Sequence, residues 1–137
     1  MTEGFLIEFD PVIFPIKLMV IIGADKDYLS GRFVNMETDQ DDTSAFDDFE
    51  FRTVLVGDRM TDMQKFLVLI DDASLPMDIG YITHEAGHVG TLMCKSFNIP
   101  IGLEPGEDEF HCYIAGWTAR CIKQTLDEYE KEINKNG

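Results

Sequence analysis

Apolar residues recur along the chain with two different spacings, and the change from one to the other divides strand-like from helix-like segments. Residues 14–22 form a near-continuous Ile/Val/Leu-rich run that predicts a buried strand, with Gly23 ending it. Asp25 is placed to cap a short helix reaching about Asn35, with Tyr28, Leu29 and Phe33 on its apolar face. Residues 37–48 are acidic and polar and read as a solvated loop. Across residues 49–56 the two sides of an extended chain differ in polarity, which predicts a half-buried strand. Residues 57–64 then make a turn and residues 65–70 a second strand, so the pair should form an antiparallel hairpin.

Helical spacing takes over after this hairpin. Ser74 offers an N-cap, Pro76 suits a first turn, and Asp78 complements the helix dipole. The helix should run over residues 76–97, with Asn98 and Pro100 closing it. Residues 99–106 are a Pro/Gly-rich connection. A last helix opens with Glu107, Asp108 and Glu109 and continues to the charged tail. Phe110, Tyr113, Ile114, Trp117, Cys121, Leu126 and Tyr129 approximate its buried stripe. The order strand, helix, strand, strand, helix, helix predicts an α+β fold in which a small sheet is packed against two long C-terminal helices. No repeat or internal boundary divides the chain, so residues 1–137 are expected to form one domain.

Charge narrows the range of partners. Eleven basic residues against 26 acidic ones give a formal charge of −15. Such a field repels nucleic-acid phosphates and acidic membrane surfaces, so neither is an expected partner. The most apolar run is broken by Pro15 and Lys17 and is too short to span a bilayer. Met1 is followed by Thr-Glu-Gly rather than a basic leader. Cys94, Cys112 and Cys121 are odd in number and contain no Cys-x-x-Cys pair, which fits reduced, packed thiols. The expected location is the cytoplasm.

Chemistry concentrates in one pentapeptide, His84-Glu85-Ala86-Gly87-His88. On a helix, residues i and i+4 lie one turn apart on the same face, so both imidazoles can turn to one metal ion. Glu85 projects about 100° round from His84, near the ion without necessarily binding it. This is the arrangement of a catalytic zinc site, in which the glutamate takes a proton from the activated water. A third protein ligand is expected, and Glu109 at the start of the last helix is the preferred candidate. His111 is the main alternative, and Glu104, Glu107 and Asp108 also compete. Glu109 shares a helix face with Tyr113 and Gly116, the face expected to meet the motif helix, whereas His111 lies about 200° round. Gly87, Gly90 and Gly116 suggest two helix backbones in close approach, since a mid-helix glycine costs about 1 kcal/mol relative to alanine.

The His-Glu-x-x-His motif followed by a glutamate on the next helix resembles the gluzincin metallopeptidases. The stretch Glu109-Phe110-His111-Cys112-Tyr113 is similar to the Glu-x-polar-x-aromatic segment of the ImmA/IrrE-type peptidases. The whole layout is similar to small zincin-like proteins encoded by phages: an N-terminal strand with Pro-x-Lys, a hairpin, the motif helix, an Ile-Pro linker, and a Glu-x-x-x-Tyr-x-x-Gly-aromatic helix. The resemblance implies a minimal zincin that hydrolyses a peptide bond in a peptide or protein substrate. His84, His88 and Glu109 would hold Zn2+, Glu85 would be the general base, and Tyr113 would stabilise the oxyanion or orient a ligand; the core stripe is the competing reading for Tyr113. A rival function is an acidic phage protein that occupies a host protein through residues 37–48 and keeps a structural or vestigial metal site. Trp117 is expected in the core.

Overall fold

The computed structural model describes residues 2–38, 42–72 and 77–136. It is α+β, with a five-stranded mixed sheet and three α-helices among the described residues. Contacts gather in two compact units, residues 1–76 and 77–137.

The first unit holds the whole sheet: β1 (Phe5–Phe9), β2 (Lys17–Ile22), β3 (Phe33–Asn35), β4 (Phe51–Asp58) and β5 (Met63–Ile70), in the spatial order β1-β2-β5-β4-β3. The expected hairpin is present. β4 and β5 pair antiparallel from Phe51↔Ile70 to Asp58↔Met63, with Asp62 at φ 59° in the turn. β2 lies on the other side of β5 and runs parallel to it, Lys17 opposite Lys65 and Ile22 opposite Ile70. These two central strands are buried from Leu18 to Ile22 and from Lys65 to Ile70 without alternation. That pattern explains their continuous apolar sequence, because a strand covered on both faces has no polar side to show.

Several boundaries differ from the sequence reading. The first apolar run contributes only Lys17–Ile22, since Pro15 lacks the amide a ladder needs. β1, which the hydrophobic pattern left unassigned, is the short edge strand paired antiparallel with β2. Asp25 caps α1 (Lys26–Arg32) as expected, its Oδ1 accepting from the Tyr28 amide at 2.9 Å. The helix stops at Arg32, and Phe33–Asn35 instead forms edge strand β3 against β4. Here β-branched and aromatic residues with a tertiary partner outweigh a weak helical continuation.

The acidic segment is not wholly solvated. Residues 39–41 lie outside the description, but Ser44–Phe46 forms a single 3₁₀ turn that drives Phe46 into the core. Phe46 joins Met19, Ile21, Leu29, Phe33, Val54, Val56, Leu67 and Leu69 on one face of the sheet. One apolar side chain thus anchors a loop whose acids stay outside.

Charge is also buried at one end of this sheet. Arg32 grips Asp58 through both carboxylate oxygens, at 3.2 and 3.1 Å. Lys65, itself buried, lies 3.6 Å from Asp58 and donates to Glu8. Burial pushes the Asp58 carboxyl upward, but the Arg32 hydrogen bond, the Met60 amide and the charges of Arg32 and Lys65 outweigh it, and its pKa falls below the usual carboxylate value. A buried pair of this kind costs desolvation to form, yet removing one partner leaves the other charge stranded.

In the second unit, α2 (Ile79–Ser96) and α3 (Glu109–Asn136) pack on each other. Ser74 and Pro76, expected to open α2, lie outside the described residues. Asp78 takes the cap: its side chain accepts from the Tyr81 amide at 3.0 Å. Asn98 closes the helix in the left-handed region at φ 56°. The Ile99 amide reaches back to the Cys94 carbonyl at 2.8 Å and the Asn98 amide to Lys95 at 3.4 Å, the paired bonds of a Schellman stop. Cys94 and Cys121 are buried free thiols, and burial pushes Cys121 up to about 12 against the opposing Arg120 charge. Cys112 is free but exposed, so the packed-thiol expectation holds for two of the three. No helix among the described residues is long and apolar enough to cross a membrane.

Asp58→Asn should lower the free energy of unfolding by roughly 3 kcal/mol, as expected for breaking a buried pair. Because the folded pKa of Asp58 is depressed, its contribution is complete above the unfolded value of about 4 and is lost as pH falls through the folded one. Urea midpoints measured between pH 7 and pH 3 should therefore converge for parent and variant toward the acid end. A constant gap would show that the ion pair is not its source.

Candidate metal centre

α2 is amphipathic, and its two faces divide the motif. Ile82, Glu85, Ala86, Val89, Gly90, Met93 and Cys94 are buried, at the i, i+3, i+4 spacing of a core-facing stripe. His84 and His88 fall on the opposite, exposed side, with the His84 side chain 62% accessible. Glu85 is carried inward, its side chain only 4% accessible. One helical turn thus presents two open imidazoles beside a sheltered carboxylate.

The two rings converge through the same atom. His84 Nε2 and His88 Nε2 are 3.1 Å apart, with ring centroids separated by 4.6 Å and ring planes at 82°. Glu85 Oε2 lies 3.9 Å from His84 Nε2. Ligand atoms of all three side chains fall within 4.8 Å of one another, making a group that could hold a metal ion. The donor chemistry fits zinc. Two nitrogens, each at about 2.05 Å from a tetrahedral ion, are separated by about 3.3 Å, close to the spacing found here.

α3 meets α2 at Gly90. A methyl group placed there would come within 3.1 Å of the His111 ring and 3.2 Å of the His111 carbonyl. Of the three glycines expected to admit a neighbouring helix, only Gly90 does so: a Cβ at Gly87 meets nothing, and one at Gly116 meets only the flexible end of Arg120 at 3.9 Å. The facing residues also differ from expectation. His111 turns toward α2, its Nε2 lying 3.1 Å from Thr91 Oγ1 and 3.3 Å from the Gly87 carbonyl. Glu109 and Tyr113, about 160–200° round the helix from His111, are exposed, Tyr113 at 70%. The core reading of Tyr113 therefore fails, and the pattern misled because an aromatic residue at helical spacing fits a buried stripe and an open face equally well. Trp117 is half-buried rather than fully in the core, whereas Ile122, Thr118 and Thr125, absent from the expected stripe, are buried.

Glu109 is the first residue of α3 and lies outside the group formed by His84, Glu85 and His88. His111 Nε2 faces the Gly87 carbonyl, which only accepts, so the tautomer that makes this bond carries its hydrogen on Nε2 and donates into α2. In that tautomer the lone pair of the ring lies on Nδ1. Its contact was legible only in part: Thr91 shares the face of His84 and His88 at i+7, but nothing in the spacing named its partner.

Comparison of the chain with protein-family models, with curated proteins and with solved structures gives no match. The site stands on its geometry alone.

Purified protein dialysed against zinc should retain about one ion per chain by elemental analysis, and His88→Ala should retain almost none. Equal zinc in parent and variant would remove the imidazole pair from any account of metal binding.

Proposed function

We propose that this protein is a zinc-dependent metallopeptidase of the small zincin-like, phage-encoded type, acting on a peptide or protein. The observation that carries the reading is the convergence of two exposed imidazole Nε2 atoms at 3.1 Å beside the sheltered Glu85 carboxylate. A structural zinc site is closed by four protein ligands, whereas a catalytic one leaves a position open. Exposure of His84 and His88 on the outer face of α2 suits the open kind.

In this reading His84 and His88 would hold the ion through neutral imidazole nitrogens, and the expected third ligand, Glu109, which stands outside their group on the exposed side of α3, would have to turn toward them to join. Zinc supplies a Lewis acid that makes water acidic near pH 7 and polarises a carbonyl. Glu85 accepts a proton from the attacking water as the carbon–oxygen bond forms. It delivers that proton to the amide nitrogen as the carbon–nitrogen bond breaks, so the products are a carboxylate and an amine. The shelter around Glu85 keeps bulk water from competing for the proton in transit. Tyr113, one turn beyond Glu109 and open to solvent, is the oxyanion donor that the resemblance implies, and it would act only from a position turned toward the histidine pair.

Glu85→Gln keeps the side-chain shape but removes the base, so turnover of a cleavable substrate such as casein should fall by at least about 100-fold. Zinc content should stay near one per chain. Full activity in Glu85→Gln would reject the mechanism, and loss of zinc together with activity would make Glu85 a ligand rather than a base.

A further inference from the structure

His111 is the one histidine outside the motif, and its surroundings are specific. Its ring sits where Gly90 leaves no side chain, with its own backbone carbonyl 3.2 Å from the Cβ that glycine lacks. Thr91 Oγ1 donates to the Gly87 carbonyl at 3.1 Å, the usual back-bond of a helical threonine. With that hydrogen committed, the threonine oxygen is an acceptor, which selects the Nε2–H tautomer of His111: its ring nitrogen lies 3.1 Å from that oxygen, with the Gly87 carbonyl a second acceptor at 3.3 Å. The carbonyl in this chain of bonds belongs to the peptide that joins Gly87 to His88. Downstream, the groove between the helices is lined by Ile79 and Ile82 from α2 and by Ala119 and Lys123 from α3, so the two helices run antiparallel and α3 begins beside the motif.

We infer that His111 is a positioning residue for the metal centre: its Nε2–H ties the first turn of α3 to the turn of α2 that carries His88. The tie fixes the backbone behind the His88 imidazole and holds the register of the helix that opens on Glu109. This rests on the reading of His84 and His88 as metal ligands, and it assigns His111 to the support of that site rather than to the ligand set. Residues that orient ligands in this way commonly change metal affinity by about 10–100-fold when removed.

Competition with a chelator of known zinc affinity tests the inference on the full chain. His111→Ala should bind zinc about 10-fold or more weakly than the parent. His111→Gln, whose amide nitrogen can occupy the place of Nε2 and donate to Thr91, should recover most of that loss. A purely volumetric role would leave His111→Gln as weak as His111→Ala, and a ligand role would prevent any recovery by an uncharged amide; either result overturns the inference. Parent-like affinity in His111→Ala overturns it too. If His111→Ala does not fold, Thr91→Val removes the acceptor without removing the ring, and it should weaken zinc several-fold while its melting temperature stays near the parent value. Unchanged zinc affinity in Thr91→Val contradicts the proposed chain of bonds. Equal affinity of parent and His88→Ala would instead mark failure of the metal-site reading itself, a separate outcome.

Discussion

Helical pitch brings His84 and His88 together: four residues advance the chain by about 6 Å and turn it by only about 40°. The consequence is a pair of imidazoles whose Nε2 atoms lie 3.1 Å apart on an open helix face. At that distance the two nitrogens are placed to share a hydrogen or a cation. The rest of the second unit accommodates this constraint. The buried stripe of α2 runs through Glu85, so the same helix that exposes the imidazoles shelters the acid. Gly90 lets α3 close on the helix beside them, and Asn98 stops α2 soon afterward so that the chain can return.

Within the first unit the ordering principle is different. Two parallel central strands are buried along nearly their whole length, and an antiparallel partner flanks each. Buried charge among the described residues of this unit is gathered at one end, where Asp58, Arg32, Lys65 and Glu8 pair with one another. Most of the remaining acid stays on the surface, where water solvates it.

Much of this was legible in the order of residues, for identifiable reasons. The β4–β5 hairpin, the Asp25 cap, the Asn98 stop and the placing of the histidine pair on a helix all rest on local rules, and the structure follows them. What failed depended on partners distant in sequence. β1 is five residues long and shows itself only by pairing with β2. Phe33–Asn35 leaves the helix because β4 is available to it. Phe46 looked like part of a solvated segment because its neighbours are acids, yet the core below needed one aromatic ring. The face of α3 was also misjudged. Tyr113 and His111 differ by about 200° on the helix, and only the contact at Gly90 decides which points inward. The third ligand is uncertain in sequence for the same reason: several acids cluster at residues 104–109, and spacing alone does not rank them.

X-ray absorption at the zinc edge of the loaded protein examines the central claim most directly, because it counts the ligand atoms around the ion. Two imidazole nitrogens at about 2.0–2.1 Å, with the remaining positions filled by oxygen, is the predicted shell. A shell with no imidazole scattering would contradict the account, since no arrangement of His84 and His88 around a shared ion could produce it.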